Sequence, residues 1–173
     1  MRATSLTVAA LAAALLLTAC DDGGDTTGQD AKAGSGCVDE LAVEFGPANA
    51  APAAGDTGNV PVTVTNRGEA KCALDGLPTL EFDAGGKTVT VAPDQAVTAG
   101  KTTLVKDATT SFTLTYVRGE EGGGKSLAVK TAKVRLPGST ETHNFKWSYG
   151  AVALKSDGKT PDASVSGFQR SGD

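Results

Sequence analysis

Gly119-Glu120-Glu121-Gly122-Gly123-Gly124-Lys125-Ser126 satisfies the phosphate-binding pattern G-x-x-x-x-G-K-S. That chemistry needs backbone N–H groups cradling phosphates, a helix N-terminus behind them and a hydroxyl on Mg²⁺. Residues 127–136 read as strand instead, and Glu120 and Glu121 would sit inside the cradle and repel nucleotide. A flexible hairpin loop that binds no nucleotide is expected. Ser156 and Lys159 match the S-x-x-K of penicillin-recognising enzymes, which place that Ser at a rigid helix start; here it lies in a Gly-rich stretch beside Pro161. His143 is the only histidine, with no G-x-S-x-G elbow and no second His for zinc, so it is expected on the surface. Asp21, Asp22 and Asp25 miss the spacing of a calcium loop and its closing Glu. Phe145, Trp147 and Tyr149 alternate onto one face, where core packing is expected in preference to a ligand-stacking platform. No catalytic, cofactor or metal residue is therefore assigned.

The three cysteines carry more information. Residues 1–19 begin with one Arg, continue through an apolar run over 6–17 and end in small residues. A run of about 12 is too short for a permanent membrane span but suits a signal-peptide core. Leu17-Thr18-Ala19-Cys20 resembles the bacterial lipobox, which implies acylation of Cys20 as the first mature residue. Several acyl chains anchor firmly where one binds only marginally. Cys20 in that role leaves Cys37 and Cys72, an even pair in a disulfide-permissive compartment. A Cys37–Cys72 bond is expected, two buried free thiols being the alternative.

Residues 21–36 contain no aliphatic side chain larger than Ala and cannot bury enough surface to offset ordering entropy. With Cys20 they form a linker over 20–36, and coil scaling gives it a span of roughly 20–25 Å. The chain has 16 Lys and Arg against 20 Asp and Glu, a net charge of −4. Loss of Arg2 with the export segment leaves 15 against 20, or −5. No basic stripe exists to displace counterions from phosphates, so neither nucleic acid nor anionic lipid headgroups are expected partners.

The elements that would position any site are strands. Alternation of Leu41, Val43 and Phe45 predicts a strand over 38–45. Val60, Val62 and Val64 predict a second, which Pro61 places at an edge or near a strand start. Cys72 and Leu74 mark a third, and residues 80–91 read as a hairpin around Ala84-Gly85-Gly86. Residues 97–106 are ambiguous. Phe112, Leu114 and Tyr116 give the clearest alternation, and residues 127–136 read as one strand with a bulge near Thr131. Phe145 to Tyr149, with Val152 and Leu154 beyond, close the pattern, and 157–173 reads as a disordered tail. Seven to nine short strands without an amphipathic helix predict an all-β, antiparallel, immunoglobulin-like sandwich over 37–156, a small barrel being the alternative.

The stretch 60–82, VPVTVTNRGEAKCALDGLPTLEF, resembles the bacterial domain of unknown function four-two-three-two (DUF4232). The shared features are a leading Cys, a V-x-V-T strand running into Asn, and a C-x-L-x-G-x-P turn matched by Cys72, Leu74, Gly76 and Pro78. A later T-x-F-T-L-x-Y strand is matched loosely by residues 110–116. The resemblance covers roughly 37–154 and implies a secreted or lipid-anchored sandwich of high-GC Gram-positive bacteria, with no known activity. The expected function is a non-catalytic surface binding or interaction module, lipid-anchored on the extracytoplasmic face. The alternatives are an accessory subunit of a cell-envelope complex and, last, a cell-wall hydrolase.

Overall fold

A computed structural model describes residues 35–170. The export segment, Cys20 and residues 20–34 of the linker lie outside the described residues. The chain opens with a single helical turn, α1 (Ser35–Val38), followed by β1 (Leu41–Phe45), β2 (Thr57–Asn66), β3 (Cys72–Gly76), β4 (Thr79–Asp83), β5 (Thr88–Pro93) and β6 (Gly100–Leu104). It continues through β7 (Thr109–Val117), β8 (Ser126–Leu127), β9 (Thr131–Arg135), β10 (His143–Lys146), β11 (Val152–Ala153), β12 (Ala163–Val165) and β13 (Gln169–Arg170). The first strand is thus shorter than the alternation implied, because residues 35–38 coil to bring Cys37 to the core.

Two antiparallel layers make the sandwich. One runs β1-β2-β7-β12, with β13 also on β7; the other runs β5-β4-β9-β10. Inward positions on the central strands are sealed: Val60, Val62, Val64, Phe112, Leu114, Leu80, Phe82 and Val134 are fully buried. Period-two alternation delivers this directly, since every second side chain of β7 points to the core. Trp147 joins the layers, standing edge-on to Phe82 at 5.1 Å and to Tyr116 at 5.0 Å between centroids. On one side the layers meet through a short parallel pairing of β12 with β5. On the other, β1 and β10 are terminal strands, bridged by Phe45 stacked on Phe145 at 4.0 Å. A separate two-stranded ladder, β3 with β6, covers the end near α1.

Pro61 is not at an edge: β2 lies between β1 and β7. Its carbonyl accepts the Gly46 N–H at 2.8 Å, on the β1 side and one residue past the last β1–β2 pair. A strand residue's N–H and C=O point the same way, so the missing donor costs no bond within the ladder. The stretch 127–136 is also corrected. It is two strands, β8 and β9, because Val129 turns back to the Leu127 carbonyl and Lys130 passes to Asp83. The parity slip records a change of partner, not a bulge.

The expected disordered tail is corrected through Arg170. Ala163 and Val165 are buried on β12, which pairs with β7 as well as β5, and Phe168 meets Phe112 edge-on at 5.7 Å. Val165 and Phe168 look isolated in sequence because the strand that holds Val165 is three residues long and Phe168 lies beyond its end. The predicted disulfide is present. Cys37 and Cys72, 35 residues apart, join α1 to β3 with Cα atoms 5.5 Å apart.

Candidate functional site

At the end of the sandwich away from α1, the loops are knotted together by buried and partly buried hydrogen bonds. The Tyr116 hydroxyl accepts the Ala51 N–H and donates to the Tyr149 carbonyl, both at 3.2 Å. Arg118 Nη1 donates to the carbonyls of Ala51 and Pro52 at 3.0 Å. Trp147 Nε1 donates to the Gly150 carbonyl at 2.7 Å, and Glu121 Oε1 accepts the Ala151 N–H at 2.9 Å. Gly58 lies under the Tyr116 ring, where a Cβ would collide with that ring and come within 2.8 Å of the Ala51 nitrogen. Trp147, 6 % exposed, is therefore a core residue with its indole satisfied, not a stacking platform.

The phosphate-loop pattern takes a different shape from the one its chemistry needs. Gly119 donates to Ala151 at 2.8 Å, Gly123 to Glu120 at 3.1 Å and Ser126 to Gly123 at 3.1 Å. Three of the motif's donors are thus turned inward, and Ser126 begins strand β8 where a helix would be required. Ser156 and Lys159 flank a turn. Asp157 Oδ1 accepts the N–H groups of Lys159 and Thr160 at 2.9 Å, and its other oxygen accepts the Thr160 hydroxyl. That hydroxyl, then the two N–H groups, lower the Asp157 carboxyl to about 2. This carboxylate is an organiser of its turn. His143 sits half-buried at the start of β10, opposite Val134. Among the described residues no group of three or more His, Cys, Asp or Glu is placed to hold a metal ion.

The polar groups that do converge come from stretches that carried no motif. A cleft of about 350 Å³ lies where β7, β12 and the end of β5 meet. Thr57, Thr115 and Ser164 line it from the strands, with Ala92, Pro93 and Val117 beside them, and Asp94, Lys155 and Asp162 line it from the flanking loops. The strand side is built by register: Asn59, Thr115 and Ser164 are directly opposite one another on β2, β7 and β12, so their side chains share the outer face. The Thr115 hydroxyl donates to Asn59 Oδ1 at 2.8 Å. Sequence reading missed Asp162 and Ser164 because they lay in the stretch read as tail. The alternation Ala163-Ser164-Val165 was the available signal, three residues long.

The disulfide holds the linker's end at the opposite pole. Strand β1 runs from the α1 end, beside the Cys37–Cys72 bond, up to Phe45 and the knotted loops.

Comparison with known families matches residues 37–169 to a family model described as a domain of unknown function, DUF4232. No curated protein and no solved structure matches the chain.

Proposed function

Because the chain belongs to the DUF4232 family, whose description names no activity, its role has to be read from its own surface, and we propose a non-catalytic binding module anchored on the extracytoplasmic face of a bacterial membrane. The observation that carries the binding reading is the cleft beside β12, lined by Thr57, Thr115 and Ser164 and by Asp94, Asp162 and Lys155. Concave sites with a few converging polar groups are where small ligands and chain segments bind. Permanent seating in an envelope complex would instead leave a broad apolar patch. Among the described residues the only large hydrophobic side chain classed as exposed is Val105, at 49 %.

Anchoring rests on the lipobox-like residues 17–20 and on the polarity of the domain. The linker would enter at the disulfide-bonded end, so the knotted loops face away from the membrane. Replacing Cys20 with Ala is expected to release the chain from the membrane fraction into the medium; undiminished retention overturns the anchor. For the binding reading, a photo-activatable residue is placed at Gln95, exposed on the cleft rim, or at Thr90, exposed on the other layer. In intact envelopes a discrete adduct is expected from position 95 and none from position 90. No adduct, or the same adducts from both, defeats the cleft as a binding site.

A further inference from the structure

The two outer faces of the sandwich differ in chemistry. On the β5-β4-β9-β10 layer, Glu81 stands opposite Lys133, Lys133 pairs with Asp83 at 2.8 Å, and Arg135 and Lys146 lie on the same side. On the β1-β2-β7-β12 layer, the outward positions are Thr57, Asn59, Pro61 and Thr63 on β2, opposite Val117, Thr115, Thr113 and Ser111 on β7; Thr65, opposite Thr109, is buried. Ser164 extends the Asn59–Thr115 row, and Glu44, opposite Thr63 on the edge strand β1, is the one charge on these four strands' outer face. Strand propensity favours Thr on both layers, yet only the β5-β4-β9-β10 layer carries a set of charges. The hydroxyls of Thr57, Thr63 and Thr113 make no hydrogen bond to another described residue. The uncharged face runs directly into the cleft, sharing Thr57, Thr115 and Ser164 with its lining.

We propose that this face and its cleft bind a neutral polysaccharide chain; the proposal rests on the binding-module reading and specifies its ligand. A nucleic acid or anionic lipid would find no cation on these four strands and, at the cleft, only Lys155 in the company of Asp94 and Asp162. An apolar partner would find only scattered apolar contacts, Pro61 and Val117 on the strands and Ala92 and Pro93 at the cleft. A neutral, hydroxyl-bearing polymer meets groups of its own kind: each Thr or Ser hydroxyl both donates and accepts, and the carboxylates of Asp94 and Asp162 accept from hydroxyls at the cleft. The rows repeat about every 6.6 Å along a strand and about 4.8 Å across strands, so an extended chain can be contacted at several points at once. Tyr116, beside the cleft, is fully buried and offers no ring for a sugar to stack on. Affinity therefore comes from many weak contacts, and a polymer is bound where a single sugar is not.

The test uses the full chain carrying Cys20→Ala, run in native gels cast with a neutral glucan, mannan, galactan or glycol chitin, and with an anionic polysaccharide for comparison. Retardation is expected in at least one neutral gel. The pair Thr113→Val and Thr115→Val should weaken it about tenfold, the equivalent of two net hydrogen bonds. Ser164→Ala, a milder change in the same row, should weaken it as well. Thr88→Val with Thr90→Val, on the charged layer, should leave it unchanged. Equal mobility in every neutral gel, retardation by the anionic polymer alone, or equal loss in both double variants overturns the proposal. A protein adduct from position 95 without retardation would discard the polysaccharide and keep the binding module; failure of both measurements discards both.

Discussion

Breaking the Cys37–Cys72 bond is expected to lower stability by about 3–4 kcal/mol and the melting temperature by about 10 °C. The bond closes a loop of 35 residues, and in the chain-entropy description a loop that long restricts the unfolded ensemble by this amount. Its position raises the stakes. The β3–β6 ladder shares no strand pairing with the main sheet, so the bond from α1 to β3 is one of its few covalent or hydrogen-bonded ties to the rest of the domain. Both sulfurs lie within the core, with Cys37 5 % and Cys72 0 % exposed. The comparison is urea unfolding of the oxidised chain against Cys37→Ala with Cys72→Ala, whose small side chains avoid stranding a lone thiol. A loss below about 1 kcal/mol would show that the cross-link is incidental to the fold.

Asn66→Ala is expected to cost about 3 kcal/mol, an unusual effect for a polar residue at a strand end. The Asn66 side chain is 1 % exposed and fully employed. Its Nδ2 donates to the carbonyls of Ala70 and Leu104, both at 2.9 Å, and its Oδ1 accepts the Gly68 N–H at 3.0 Å. Leu104 ends β6 and Ala70 leads into β3, so one amide hydrogen-bonds the end of β2 to the separate ladder. Alanine leaves the buried Leu104 carbonyl and Gly68 N–H, and the partly buried Ala70 carbonyl, without partners, and each orphaned group carries a desolvation penalty. Asn66→Asp is expected to fare no better at neutral pH, because a carboxylate supplies no donor to the two carbonyls. Denaturant midpoints measure both variants. Wild-type stability in Asn66→Ala would mean that water reaches the junction and replaces the amide.

Much of the β pattern was legible because a strand's signature is local. Phe112, Leu114 and Tyr116 alternate with small polar residues, and that alone identifies β7 and its buried face. The hairpin of β4 and β5 was equally readable, with positive-φ glycines Gly85 and Gly86 at its turn. The motif matches were also open to argument on chemistry: two glutamates inside a phosphate loop, or a lone histidine, weigh against the corresponding reactions. What escaped were elements too short to show a period. Residues 163–165 and 169–170 have only two or three positions each, and their strand character comes from pairing with β7. The candidate cleft was missed for the same reason, since Ser164 and Asp162 belong to that segment.

The sequence by itself determined that this chain is a β domain and which two cysteines can join, because alternation and cysteine parity are properties of the linear chain. It also determined that Val60, Val62 and Val64 face the core while Pro61 and Thr63 face outward. Only the tertiary structure decided which outward residues become neighbours. The charged set of one layer is gathered from β4, β9 and β10 and the hydroxyl set of the other from β2, β7 and β12, and the Asn66 bridge and the parallel seam of β12 with β5 likewise depend on the folded registers. Which partner a strand takes is settled by burial of the whole core, and a short alternation of inward and outward residues fits several partners equally well.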